Sequence, residues 1–224
     1  MKRSEVNALI DDAKTFLASH RFHLPPWAFW KPANWKGRRA DCAEIVDNML
    51  GWDITDFGSG DFARVGLLLF TIRNGNPQRD RKPYAEKAMI VREGQVTPTH
   101  FHWKKMEDIV VRGGGRLVIE LHGSTVDEGL SELPIVVRVD GVTRGVEPGG
   151  KVVLSSGESI CLEQGVYHRF YGEPGAGTVL VGEVSEVNDD TSDNRFLTPC
   201  GRFPTLVEDV APNHLLVSDY AKYL

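Results

Sequence analysis

Apolar residues recur at spacings of three and four near the start of the chain. Val6, Leu9, Ile10, Ala13, Phe16 and Leu17 share one face of a helix at that spacing, and Ser4 is its expected N-cap. Such a face packs either on the chain's own core or on a second copy. A proline-bearing aromatic stretch follows, from Leu24 to Trp35, and holds Trp27, Trp30 and Trp35. Proline excludes regular helix or central strand there. The stretch therefore reads as a loop laid over the core, an interface or a sugar ring. From about Gly51 the pattern changes to strands and turns. Strands are expected over Val65 to Ile72, Tyr84 to Arg92, Ile109 to Val111, Arg116 to Leu121, Ile135 to Val139 and Val142 to Val146. Lys151 to Leu154, Ser159 to Leu162, His168 to Tyr171 and Thr178 to Val187 complete the series. Asn74-Gly75, Glu93-Gly94 and Asp140-Gly141 supply turns, the last fitting a two-residue hairpin. Many short strands with such turns predict an all-β sandwich or barrel. The expected organisation is a helix-and-loop extension over 1–50, then a barrel with a C-terminal tail over 51–224.

Composition narrows the function classes. The 224 residues are 41 % hydrophobic, enough for a sizeable core and against global disorder. The net charge of −5 argues against nucleic acid or an anionic membrane as partner. Arg79, Arg81 and Lys82 are interrupted by Asp80 and read as a solvated loop. No stretch is apolar for long enough to span a bilayer, and the first residues lack the apolar block of a signal peptide. Cys42, Cys161 and Cys200 are far apart and odd in number, so a disulfide framework is not expected and a cytoplasmic setting is.

Two segments carry candidate chemistry. In the first, Gly94 to Gly114, His100 and His102 are two apart, so on a strand they point to the same face. Glu107 follows a short turn and can reach the same point. Two imidazoles and a carboxylate suit a divalent ion such as Mn, Fe, Zn, Co or Ni. The second segment, Gly157 to Tyr171, places His168 three residues past Gly165, at the start of a strand. The ligand set becomes His100, His102, Glu107 and His168, leaving positions for water or substrate. His20, His23, His122 and His214 fall outside any such pattern.

The first segment resembles the first cupin motif, G-x5-H-x-H-x4-E-x6-G, at every fixed position. The second resembles G-x5-P-x-G-x2-H-x3-N, with Glu163 in place of the proline and Gly172 in place of the asparagine. Neither departure falls on a ligand. The resemblance implies a cupin β-barrel, a double-stranded jelly roll. The strings Gly51-Trp-Asp-Ile-Thr-Asp-Phe-Gly58, Gly66 to Gly75, Tyr84 to Glu93, His102-Trp-Lys-Lys-Met-Glu-Asp108, Gly182 to Asp190 and Asp193-Asn-Arg-Phe196 are similar to those of the bacterial D-lyxose isomerase family. That resemblance implies a metal-dependent isomerase converting D-lyxose to D-xylulose, and usually D-mannose to D-fructose. It also implies one Mn(II) per chain and a homodimer.

Aldose–ketose isomerisation through a cis-enediol needs a Lewis acid, a base that moves a carbon-bound proton, and a donor for the developing charge. Glu183 is the expected base, with Glu186 second. Opposite strand parity lets only one of them face the cavity. The phosphoglucose isomerase cupins suggest Glu107 itself as a third candidate. Lys105, between two ligands, is the expected donor. Asp190, Asp193 and Arg195 follow the last barrel strand and are candidates for binding sugar hydroxyls, although Asn188-Asp189-Asp190 also suits a turn. Two other functions share the ligand set: an Fe(II) dioxygenase and a non-catalytic sugar-binding cupin.

Overall fold

A computed structural model describes residues 1–224. The amphipathic segment forms helix α1, Arg3–Ser19. The strands are β1 Gly51–Thr55, β2 Leu67–Arg73, β3 Tyr84–Val91, β4 Thr97–His102, β5 Glu107–Gly114, β6 Leu117–His122 and β7 Ile135–Val139. They continue with β8 Val142–Val146, β9 Gly150–Leu154, β10 Ser159–Leu162, β11 Tyr167–Gly172, β12 Val179–Glu186 and β13 Asn194–Phe196. The larger sheet has the order β1-β2-β3-β12-β5-β10-β7-β8, and the smaller β13-β4-β11-β6-β9. The fold is thus the expected all-β barrel of the cupin type with an N-terminal helix.

Strand parity explains the core. Leu67, Leu69, Met89, Val91, Val179 and Val181 join Ile119, Leu121, Leu154 and Phe170 between the sheets. The alternate residues Leu68, Phe70, Ile90 and Leu180 face outward, where Val6, Ile10, Ala13 and Leu17 of α1 cover them. This is why the run Leu67-Leu-Leu-Phe70 does not alternate: both faces of β2 are buried. Burying Val6, Ile10 and Leu17 stabilises the docking by roughly 1.5–3 kcal/mol each. Helix α1 therefore packs on its own chain. The expected Ser4 cap is not used. The helix starts two residues earlier, with Lys2 at the cap position, the Glu5 carboxylate accepts the Lys2 N–H at 2.7 Å, and the Ser4 hydroxyl donates to Asp209.

The aromatic stretch covers the core. Pro26 and Pro32 are the first residues of two short helical pieces, Pro26–Phe29 and Pro32–Trp35, where their missing N–H costs nothing. This corrects the expectation of an irregular loop. Trp27 packs on Phe70 at 4.9 Å between ring centres, and Trp35 on Tyr220 at 5.3 Å. Arg3, fully buried, pairs with Asp219 and Glu208 and ties the helix to the C-terminal segment. Gly172 stands where the cupin motif has asparagine because a Cβ there would lie 2.7 Å from the Arg92 carbonyl oxygen.

Candidate active site

The histidines come from the smaller sheet and the carboxylates from the larger. His100 and His102 project from β4, and His168, directly opposite His100 in register, from β11. Glu107 is the first residue of β5, and Glu183 lies on the adjacent β12. His100, His102 and His168 bring one nitrogen each to within 4.8 Å of one another, all buried.

The tautomers follow from the hydrogen bonds. Nδ1 of His100 lies 2.7 Å from the Pro98 carbonyl oxygen, that of His102 3.1 Å from Asp193 O, and that of His168 3.0 Å from Val166 O. Each Nδ1 therefore carries a proton and donates, which turns each Nε2 toward the centre of the cluster. Burial and the two neighbouring imidazoles push the His100 pKa well down, which keeps that ring neutral. Glu107 Oε1 faces His168 Nε2 at 3.2 Å, and Oε2 faces His102 Nε2 at 3.5 Å. His168 Nε2 is nonetheless buried without a hydrogen bond. A cation held between the carboxylate and the imidazole nitrogens would satisfy both. Three imidazoles oriented by backbone carbonyls, plus one carboxylate, are a donor set that fits a divalent metal.

Beside this cluster lies a buried ladder of alternating charge. Lys105 Nζ is 2.8 Å from Glu107 Oε2 and 2.9 Å from Glu183 Oε1. Lys87 Nζ is 3.0 Å from Glu183 Oε1 and donates to Asn188 Oδ1 at 2.6 Å. Burial alone would lower the Lys105 pKa, but Glu107 and Glu183 outweigh it and hold the ammonium above the usual lysine range. Burial would raise Glu183, but Lys105 and Lys87 outweigh it and keep the carboxylate ionised. Two lysines and two glutamates balance, so the site carries no uncompensated charge without a ligand.

The two candidate bases part ways. Glu183 shares parity with Val179 and Val181 and faces the cavity. Glu186 is exposed and accepts the Met106 N–H at 2.9 Å. Asp193 does not line the cavity. Its carboxylate accepts the N–H groups of Lys104 (2.7 Å) and Lys105 (3.0 Å), and so holds the turn that carries Lys105. Asp190 lines the cavity, whereas Asp189 takes the turn role, accepting from Thr191 and Ser192. Arg195 is not brought to the site. It points away and donates to Glu128 at 2.7 Å, because on β13 it has the opposite parity to Asn194 and Phe196, which do line the cavity.

The cavity has a volume of about 260 Å³, just under the range of roughly 300–1,000 Å³ typical of drug-sized ligands. Sequence reasoning missed Lys87 and Arg202 in its wall. Lys87 had a signal: it shares parity with Met89 and Val91, so a lysine stands on an inward face. Arg202 lies in an irregular segment and had none.

A family model described as D-lyxose isomerase matches residues 1–220. A Serratia proteamaculans protein described as D-lyxose/D-mannose isomerase is 49 % identical over 227 residues, covering 100 % of both chains. One of the same description from Escherichia coli O157:H7 is 46 % identical over 228 residues, again covering 100 % of both. Among solved structures, Cellulomonas parahominis L-ribose isomerase with L-ribose is similar at a TM-score of 0.64 and 18 % identity, over 92 % of this chain and 98 % of that one. Geodermatophilus obscurus L-ribose isomerase is similar at 0.63 and 16 %, over 93 % and 98 %. At such identity these two speak for the fold alone.

Proposed function

The chain belongs to the D-lyxose isomerase family and is a sugar isomerase; from that premise we propose that it is a metal-dependent enzyme interconverting D-lyxose with D-xylulose, and D-mannose with D-fructose, through a cis-enediol. The observation that carries the metal is the His168 Nε2, buried without a hydrogen bond and facing Glu107. His100, His102, Glu107 and His168 would hold one divalent ion, for which Mn(II) is the family expectation. When bound, it supplies Lewis-acid polarisation of the sugar's carbonyl and hydroxyl oxygens.

The remaining chemistry falls to the charge ladder. Glu183, ionised and inward, takes the proton from C2 of the aldose and returns it to C1, while the hydroxyl proton on O2 passes to O1. Lys105 donates to the oxygen on which negative charge develops, and Lys87 keeps Glu183 oriented. Asp190 offers an acceptor to a sugar hydroxyl. A general base contributes roughly 10²–10⁴-fold, and enzymes reach about 10⁶-fold or more. The difference is the share left for charge stabilisation, which suits a site this dense in fixed charges. Ion removal by chelator, Mn(II) add-back and D-lyxose turnover without oxygen test the reading. Restored conversion that His102→Ala lacks is expected. Absence of ketose from either sugar with any first-row metal would sink it.

The Fe(II) dioxygenase and binding-only alternatives lose ground to family membership. No helix is long and apolar enough to cross a membrane, and the three unpaired thiols suit a reducing cytoplasm. A homodimer is the family expectation, and exposed Leu133, Val136 and Val142 near the sheet edge offer it apolar surface. Light scattering at two concentrations tests that.

A further inference from the structure

A second cavity, of about 720 Å³, lies behind the first. The two share Asn188, Asp190 and Arg202, so these side chains form the partition between them. That wall carries no metal ligand. Behind it the lining is polar, with Asn48, Asp53, Asn74 and Asp189.

Arg202 closes the partition with one nitrogen. Its Nη2 donates to Asp190 Oδ2 at 2.6 Å and also to Asp53 Oδ2. Its Nε and Nη1 make no hydrogen bond within the protein, and its side chain is 32 % exposed. Below it, Asp53 is 3 % exposed, and its Oδ1 is buried with no partner. The anchors differ in rigidity. Asp53 is held on β1, whereas Arg202 lies on an irregular segment after β13. The arginine can therefore swing without breaking a strand. Moving it joins a cavity sized for one small sugar to a larger polar space with an unspent acceptor at its edge.

We propose that Arg202, latched between Asp53 and Asp190, is a specificity-determining residue that ends the catalytic cavity and sets the length of aldose accepted. The polar cavity behind it receives the tail of a longer sugar. The inference rests on the sugar-isomerase reading. It concerns the end of the substrate away from the reacting carbons. D-mannose has the D-lyxose configuration at C2 to C4 and is one CHOH unit longer at that end. A pentose fits with the latch closed, and a hexose displaces it.

The test compares kcat/KM for D-lyxose and D-mannose in the metal-loaded wild type, Arg202→Ala and Arg202→Lys, with melting curves as a fold check. One carbon unit in a pocket is worth roughly 10–200-fold in specificity. In Arg202→Ala the mannose-to-lyxose ratio should rise about tenfold or more, chiefly through KM. Arg202→Lys, which keeps the charge but shortens the reach, should shift the ratio in the same direction by less. A ratio within about twofold of wild type in both variants, even with both rates reduced, overturns the latch and leaves the isomerase reading intact. If Arg202→Ala fails to fold, the lysine variant decides alone: no shift in its ratio overturns the proposal. Wild type inactive on both sugars is a different outcome, and refutes the functional reading itself.

Discussion

Removing the Glu183 charge should cost stability out of proportion to the change in shape. Glu183→Gln removes the carboxylate that Lys87 and Lys105 share, so a neutral buried ladder of two lysines and two glutamates becomes one with net charge +1. All three ladder partners are at most 6 % exposed. Pairs at 2.9–3.0 Å interact by several kcal/mol even at an effective dielectric of about 20. Breaking a buried pair typically costs about 3–5 kcal/mol. With a urea m-value of roughly 1–3 kcal/mol/M, the midpoint should fall by on the order of 1–2 M. Lys87→Met alone leaves −1 and should cost similarly. The double variant restores neutrality, so it should be more stable than the sum of the singles by roughly 1–3 kcal/mol. The assay is urea denaturation of the four chelator-treated proteins followed by tryptophan fluorescence. Additivity within about 0.5 kcal/mol would refute the coupled-charge account, and with it the reason given for the ionised state of Glu183.

Three other outcomes follow from the same geometry. Asp193→Ala frees the Lys104–Lys105 turn, and loss of such outer support typically weakens metal binding about 10–100-fold; a Mn(II) titration with unchanged affinity would contradict this. The Glu183 pKa is depressed in the fold by Lys105 and Lys87, so the unfolded chain binds more protons in acid. Its contribution is complete above the ordinary value of 4.5 and fades as pH falls through the depressed one; Glu183→Gln should flatten the acid limb of stability against pH, and a limb of unchanged slope counts against the assignment. Ile10→Ala, under α1, should cost about 2–5 kcal/mol in urea denaturation and leave KM unchanged. A raised KM there would tie the helix to the site.

Several features were legible in the chain because chemistry or period forces them. Ligands two apart on a strand must share a face, so His100 and His102 announce themselves. The apolar run within Val65 to Ile72 gave a strand, but that both of its faces are covered was decided only by the packing of α1 on Leu68 and Phe70. The 3.6 period of Val6 to Leu17 gives the helix but not its partner: the same face would suit a second copy, and only the packing on Phe70 and Leu180 decided it. Parity left Glu183 and Glu186 equivalent, since which face is inward depends on the neighbouring strands. Arg195 looked like a ligand for hydroxyls, yet β13 turns it outward to Glu128. Arg202 looked like nothing, because an irregular segment carries no period. Such residues are placed by contacts with Asp53 and Asp190, distant in sequence or set in a loop, and contacts of that kind exist only once the chain has folded.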